Sequence, residues 1–470
     1  MRKLIFLFIF LAFTVSSFAQ AKFTGLWEGK LNVGPGLRLF FSIEEVGGKY
    51  SAKLIVPDQS KDPLDCADLE VRGDSLIIRI EQVKGGYAGL LVAPGSIKGS
   101  WSQAGRSAPL DLKKVDKIEL ADRPQTPKAP FPYKSEDIIY HNKTKSIQYG
   151  ATITIPQGKG PFPAIIMSTG SGPQNRDEEI YRHKPFAVIA DYLTRKGYIV
   201  LRVDDQGMGK TTGNAATATT ADFAKDVLVG IDYLKSRPEV DKRKIGVMGH
   251  SEGGLIAEMV AATSTDVNFI VLLAGPGINI INLMEEQNAM VLQQSGISKE
   301  AVDAYLPLYN DIAMIIVNAA GRTEAEKQIG AAISSWKAKV HPNVTIPFGL
   351  NTEDGVKKTV NEFAALLDAP WWRYFMGEEP KNYLEKLNCK VLALNGDKDI
   401  QVISESNLAG VKEALAKSRS PKYDVHEMKG LNHLFQKCLT CSSTEYGDLD
   451  ETFSPDALKV IGDWLDANVK

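Results

Sequence analysis

Lys244-Ile245-Gly246-Val247-Met248-Gly249-His250-Ser251-Glu252-Gly253-Gly254 decides how the larger part of this chain is read. An apolar strand-forming run enters it, and an apolar helix-forming run, residues 255–262, leaves it. The Gly249-x-Ser251-x-Gly253 spacing permits a sharp strand-to-helix turn that thrusts the Ser251 hydroxyl out at the carboxyl end of the strand. The helix N-terminus behind it favours developing negative charge. An ordinary glycine turn with a capping serine fits the same letters. The strand before and the helix after make an exposed nucleophile the sharper expectation.

Outward from this turn, residues 164–167, 198–201, 269–273 and 390–394 are further compact apolar runs. Between them lie amphipathic stretches such as 221–235, with Phe223, Val227, Ile231 and Leu234 at helical spacing. Apolar strands alternating with helices predict a mostly parallel sheet covered on both faces. Such sheets place their chemistry at the carboxyl ends of the strands.

A hydroxyl is a weak nucleophile without a base, and the base needs an orienting acid. The chain has six histidines. His250 adjoins Ser251 on the turn and does not readily reach back to its hydroxyl. His141 and His183 precede Ser251, against the Ser…acid…His order of a strand–turn–helix nucleophile. His341 falls in a helical stretch, and His426 sits inside the strand-like 423–428. His433 follows that run in Lys429-Gly430-Leu431-Asn432-His433, a loop from which a base leans over the sheet edge. It is the expected base. For the acid, residues 391–394 run into Asn395-Gly396-Asp397-Lys398-Asp399, where both Asp397 and Asp399 emerge at a carboxyl end.

With these residues the sequence resembles the α/β-hydrolase superfamily, in which Gly-x-x-Asp after the penultimate strand carries the acid. The resemblance implies Asp399, with Asp397 as the fallback. Met167-Ser168-Thr169-Gly170-Ser171-Gly172-Pro173-Gln174-Asn175-Arg176-Asp177-Glu178 resembles the Gly-Ser-Gly-Pro-x-x-Arg-Asp loop of secreted dienelactone-hydrolase-like and serine-aminopeptidase-like esterases. Where superfamily members often have His-Gly, this chain has Thr169-Gly170. Backbone N–H groups of Ser171 or Gly172 are expected to pair with that of Glu252 as an oxyanion hole. Arg202-Val203-Asp204-Asp205-Gln206-Gly207-Met208-Gly209-Lys210-Thr211 is similar to Arg-x-Asp-x-Arg-Gly-x-Gly-x-Ser, departs from it at Gln206 and Thr211, and is read as architectural. The likeness covers residues 135–470 and, more weakly, the segments before them, as in secreted bacterial esterase-D-like proteins. It implies a carboxylic-ester hydrolase working through an acyl-enzyme on a small-molecule ester. Ser251 attacks, His433 takes and returns the proton, and Asp399 orients the imidazole. No metal or organic cofactor is implied.

Residues 275–389 are far more than one crossover requires. They read as helices at 281–294, 298–318 and 355–367, with the capping box Thr323-x-x-Glu326 opening another. The expectation is a helical lid at about 279–385 above Ser251. Trp371 and Trp372, in Pro370-Trp371-Trp372-Arg373-Tyr374-Phe375-Met376, either wall an acyl pocket or pack the lid on the core.

Before the sheet region, residues 20–120 show short apolar alternations split by glycine turns, at 26–31, 37–43, 50–55, 75–80 and 97–101. They predict a small antiparallel barrel or sandwich with Trp27 and Trp101 in its core. Residues 121–134, with four prolines between Pro124 and Pro132, read as a stiff connector to a hydrolase domain at 135–470. At the start, Arg2 and Lys3 precede an apolar run over 4–15 and the small residues Ser17 and Ala19. Residues 1–19 are therefore expected to be a cleaved export signal, leaving no stable membrane anchor and a periplasmic or secreted protein.

Composition supports these expectations. Hydrophobic residues are 44% and charged residues 24% of 470, the balance of a globular protein. Lys+Arg 55 against Asp+Glu 57 argues against a nucleic-acid partner held by a basic surface. Four cysteines make no disulfide framework or zinc pattern; Cys438 and Cys441 are read as a local disulfide or two thiols. Two other functions fit the same residues. A serine aminopeptidase shares the triad and needs carboxylates for a substrate amine, for which Glu285 and Glu286 are candidates. A noncatalytic hydrolase-like binding protein is the second.

Overall fold

The structure, a computed structural model, describes residues 22–31, 37–58, 62–103, 105–120 and 123–470. The expected export signal at 1–19 lies outside them. Among the described residues no helix is long and apolar enough to cross a membrane. The chain divides into two compact units, Met1–Leu120 and Ala121–Lys470.

The first unit is one antiparallel sheet of β1 (Gly25–Leu31), β2 (Leu37–Val46), β3 (Lys49–Ile55), β4 (Leu64–Asp65), β5 (Asp68–Arg72), β6 (Ser75–Ile80), β7 (Gly85–Ala93), β8 (Ser96–Gln103), β9 (Arg106–Pro109) and β10 (Leu112–Val115). Its order is β4-β3-β2-β1-β10-β8-β7-β6-β5, with β9 on β8. The chain between the two edge strands bonds to both sides: Cys66 N–H to Ala52 O at 3.0 Å and Ala67 N–H to Arg79 O at 3.0 Å. The sheet thereby curls, and the two loop hydrogen bonds cover part of its edges. Leu76, Ile78 and Ile80 of β6 point into the core beside Trp27, Phe41 and Trp101, as the alternation predicts. Strand β7 is hidden in the sequence by its glycines. Gly89 and Gly99 make room for the buried Tyr87 ring, whose hydroxyl would lie 2.4 Å from a Cβ at either position.

The second unit holds β11 (Lys134–His141), β12 (Gln148–Ile155), β13 (Phe162–Ser168), β14 (Ile199–Val203), β15 (Val240–His250), β16 (Phe269–Leu273), β17 (Lys390–Gly396) and β18 (Tyr423–Met428). They pair in the order β11-β12-β14-β13-β15-β16-β17-β18. The pairs β11/β12 and β12/β14 are antiparallel, and every pair from β14/β13 onward is parallel. All five residues of β16 are buried. Alternate side chains of a strand point to opposite faces, so both faces are covered. The cover includes α1 (Pro185–Arg195), α2 (Thr220–Ser236) and α3 (Glu252–Thr263). This is the α/β-hydrolase fold, preceded by an N-terminal β domain.

Between β16 and β17 the chain runs through α4 (Ile280–Gln294), α5 (Lys299–Asn318), α6 (Arg322–Lys337), α7 (Pro342–Thr345), α8 (Glu353–Ala364), α9 (Pro370–Met376) and α10 (Lys381–Leu384). These helices bury a core of their own, including Leu308, Ile312, Ile316, Ile329 and Trp336. The expected capping box at Thr323 is corrected. Helix α6 opens at Arg322 with Gly321 at its N-cap, and Glu326 accepts a hydrogen bond from Arg322 Nε at 3.1 Å instead of reaching back to a cap. After β17 follow α11 (Ser404–Ala416) and, last, α12 (Pro455–Asn468).

The segment read as a connector is, from Arg123 onward, bound into the second unit. Arg123 is buried and donates to the carbonyls of Tyr181, Gly447 and Leu449. Gln125 donates to Phe453 O at 2.7 Å. Proline content describes backbone stiffness; it does not reveal side chains that satisfy loop carbonyls of a neighbouring domain.

Candidate active site

Steric exclusion builds the turn at Ser251. A Cβ on Gly249 would sit 1.8 Å from Gly253 O, and one on Gly253 would sit 2.1 Å from Ser168 O. A Cβ on Gly254 would approach Gly275 Cα to 2.6 Å. Only glycine lets α3 start this close to the strand ends. Ser251 itself takes φ 54°, ψ −122°, a conformation that stores about 1–3 kcal/mol of strain in a non-glycine residue. Its N–H is held by Leu273 O at 2.8 Å. The sharp turn expected from the glycine spacing is therefore present, with the serine at its apex.

His433 leaves the end of β18 on a loop organised by the buried Asn432, whose Oδ1 accepts from Leu434 N–H and Gln436 N–H, both at 3.0 Å. His433 Nδ1 lies 2.7 Å from Asp399 Oδ2. The other carboxylate oxygen of Asp399 accepts from Gln401 N–H at 2.8 Å and Val402 N–H at 2.9 Å. An acceptor at Nδ1 sets the tautomer, leaving Nε2 as the basic nitrogen. Asp397 does other work: its Oδ1 accepts from Gly430 N–H at 2.6 Å and its Oδ2 faces Lys398 and Lys429. It holds the turn ahead of the histidine loop.

Ser251, His433, Glu252, Ser171, Trp371 and Trp372 border one cavity of about 260 Å³. The loop after β13 presses on the turn, since a Cβ on Gly170 would come within 3.2 Å of Ser251 Cβ. Gly170 N–H is already engaged by Glu178 Oε1 at 2.7 Å. Ser171 borders the cavity, whereas Gly172, at φ +88°, has nothing within 4 Å of a built Cβ and is not among the lining residues. Of the two loop donors expected, Ser171 borders the cavity with Ser251 and Gly172 does not.

Glu252 has a second use. Its side-chain Oε1 accepts from Thr220 Oγ1 and from the indole N–H of Trp371, each at 2.7 Å. Burial pushes this carboxyl above its ordinary range, against hydrogen bonds from Thr220, Trp371 and Ser171. Glu252, the residue after Ser251, thus ties helix α9 to the body. Trp371 donates to Glu252 and, like Trp372, borders the cavity.

The loop read as architectural is a polar lattice. Arg176 Nε binds Asp204 Oδ1 at 3.0 Å, Arg202 pairs with Asp177, and Thr211 Oγ1 accepts from Gly150 N–H at 2.9 Å. Gln206 donates to Asp226 at 2.8 Å. Thr169, in place of the common histidine, directs its hydroxyl to Asp205, 2.9 Å from each carboxylate oxygen. Burial pushes Asp205 up to about 8, opposed by Gln174 N–H and Thr169.

Sequence reasoning missed Glu178, Gln401 and Tyr446, which also border the cavity. Glu178 was visible only as the last letter of a motif; no spacing rule marks it. Glu285 and Glu286, the candidate amine anchors, are turned to other partners. Asn310 donates to Glu285 and Ser406 to Glu286, each at 2.6 Å, and neither glutamate is a cavity residue. Cys438 and Cys441 form a disulfide, so the nearby group of Cys438, Cys441 and Glu445 offers no thiolate to a metal ion.

Against known proteins, the family described as X-Pro dipeptidyl-peptidase (S15 family) matches residues 146–413, a span that contains Ser251 and Asp399 and stops before His433. The chain is 35% identical over 135 residues to Esterase EstD of Thermotoga maritima, 29% of this chain and 32% of that one. It is 24% identical over 203 residues to an uncharacterised protein of Pseudomonas aeruginosa, covering 39% and 52%. The chain spans about a third to a half of the length of the curated relatives it matches. Among solved structures it is similar to an esterase of Pyrococcus furiosus, with TM-score 0.44 and 16% identity over 75% of this chain and 100% of that one. With the S15 description matching more than half of its length, this α/β-hydrolase-fold chain belongs to the X-Pro dipeptidyl-peptidase (S15) family.

Proposed function

We propose that this protein is a serine hydrolase that cleaves carboxylic esters of small molecules through Ser251, His433 and Asp399. The observation that carries the reading is the 2.7 Å bond between His433 Nδ1 and Asp399, in a loop that borders the same cavity as the strained Ser251. In the reaction His433 Nε2 takes the Ser251 proton as the oxygen attacks the ester carbonyl. The tetrahedral oxyanion is received by the backbone N–H groups of Glu252 and Ser171. His433 then protonates the leaving alcohol, and water repeats the sequence to release the acid. The similarity to an esterase favours ester over amide. An oxidising compartment outside the cytoplasm suits the Cys438–Cys441 disulfide.

The family description favours a second reading, cleavage after an X-Pro dipeptide. Such a substrate presents a free amine, which calls for an available carboxylate in the pocket. The two glutamates bordering the cavity, Glu178 and Glu252, already hold in-chain donors, which counts against it. Purified protein is assayed against p-nitrophenyl acetate and butyrate and against Ala-Pro-p-nitroanilide. Ester turnover that exceeds anilide turnover is expected; the reverse replaces the first reading by the second.

A further inference from the structure

His250 touches two parts of the site through its two nitrogens. Its Nδ1 lies 3.0 Å from Glu178 Oε1, and its Nε2 lies 2.9 Å from the backbone carbonyl oxygen of His433. Both partners are acceptors. A neutral imidazole carries one N–H, so only a ring protonated on both nitrogens donates to both. Glu178 Oε1 accepts in addition from Gly170 N–H at 2.7 Å. The pair is buried at the cavity's edge, with His250 6% and Glu178 3% exposed. The residue that supplies the carboxylate is itself held in a left-handed conformation, φ 51°. Such strain persists where the surroundings over-determine it.

We infer that Glu178 and His250 are a buried carboxylate–imidazolium pair that positions the catalytic base, by clamping the His433 carbonyl to the nucleophile turn and to the loop carrying Ser171. His250 precedes Ser251 in the chain, and Glu178 holds the residue before Ser171. One proton therefore keeps three separately folded loops in register. The inference rests on the esterase reading above and adds two positioning residues to it; neither touches the reacting atoms in this scheme. The charged and titratable groups around the pair are His433, whose ring centroid is 4.7 Å from that of His250, Asp399 behind it, and Asp205 on the Glu178 side. Burial works against protonation of His250, yet the Glu178 carboxylate and the His433 carbonyl raise its basicity above the ordinary range.

Displacement of a catalytic group by about an ångström costs on the order of 100-fold in rate. His250→Phe keeps a planar ring and removes both donors; it is expected to lower kcat on p-nitrophenyl butyrate about 10- to 100-fold with KM within about twofold. Glu178→Gln is expected to lower kcat by a smaller factor, and the double variant to be no worse than His250→Phe alone, because the residues act as one unit. The direct readout is the ¹⁵N spectrum of histidine-labelled wild-type protein, which needs no substrate. His250 is expected to show two N–H protons from pH 5.5 to 8, and one in Glu178→Gln. A single N–H on wild-type His250 at pH 7, or a His250→Phe protein with wild-type kcat, overturns the inference. Loss of the esterase reading is separate: it is marked by ester turnover that survives Ser251→Ala.

Discussion

The turn at Ser251 and the helical lid over it are held by opposite means. At the turn, backbone atoms are so close that Gly249, Gly253 and Gly254 admit no side chain, and hydrogen bonds hold Ser251 to a strand end, Asp399 to the loop after β17 and His433 to Asp399. The lid packs a separate core of its own around Ile312, Ile329 and Trp336. It reaches the cavity through Leu283, Met284, Gln287, Trp371, Trp372 and Phe375, of which Trp371 is bonded to Glu252. The difference teaches where each property resides. Under the proposed esterase reading, chemistry is expected where geometry has no freedom, and substrate choice where a long insertion is tied down by replaceable contacts. Changes at the turn should therefore strike kcat or folding, and changes in the lid should strike KM.

The largest effect is expected from Ser251→Ala, a fall in kcat/KM of at least about 10⁴-fold on p-nitrophenyl esters. Asp399→Asn should follow closely, at about 10³–10⁴-fold, through the wrong histidine tautomer. Asp397→Asn serves as the contrast within the same loop. It should stay within about threefold, since losing one partly solvated loop contact is worth about 1 kcal/mol or less. Steady-state kinetics on the three variants checks this, and equal losses in the two aspartate variants would break the assignment of the acid.

Next in size is folding. Gly253→Ala places a methyl 2.1 Å from Ser168 O, against backbone that cannot swing away. A loss of about 1–3 kcal/mol or more is expected, read as a lower urea midpoint at unchanged slope. Gly330, on the lid helix α6, has only Val360 at 4.0 Å from a built Cβ. Gly330→Ala should be neutral or stabilising by about 1 kcal/mol, because alanine is the better helix former. Reversal of that order would erase the contrast between turn and lid.

A smaller effect is expected from Trp371→Phe, which keeps the ring in the cavity and removes the indole N–H from Glu252. One hydrogen bond corresponds to about a two- to tenfold change, expected in KM with kcat little altered. A matched fall in kcat instead would assign the lid a part in the chemistry.

The smallest effect is a matter of pH. Folded Asp205 titrates at about 8 against an ordinary 3.8. Between those values the folded state binds more protons than the unfolded state. Its contribution to stability is thus fully present below about pH 4 and is lost as pH rises through 8. Asp205→Asn has no such charge to bury. Its melting temperature should match that of wild type near pH 5, because the amide oxygen still accepts from Gln174 N–H as a protonated carboxyl does, and should exceed it by pH 8. A constant gap across that range would contradict a buried, protonated Asp205.

The parallel sheet is legible in the sequence because its strands are unbroken apolar runs and its helices keep their spacing, as in Phe223, Val227, Ile231 and Leu234. The curled sheet of the first unit is half legible: Leu76, Ile78 and Ile80 alternate, while β7 hides behind glycines that serve the Tyr87 ring. At the site, Ser251, Asp399 and His433 are legible as candidates since each follows a strand end within a short local pattern. Glu178 and His250 are not. Their pairing spans 72 residues and depends on a left-handed turn that no local composition announces. Arg123 is opaque for a similar reason, since its partners are carbonyls more than 50 residues away.

The central claim is that Ser251 is activated by His433 and Asp399 to form an acyl-enzyme. It is tested most directly by treating the purified protein with a fluorophosphonate and mapping the adduct by peptide mass spectrometry. Stoichiometric modification of Ser251, slowed at least about 100-fold in Asp399→Asn, is the predicted result. An unmodified Ser251, or equal labelling in the two proteins, would contradict it.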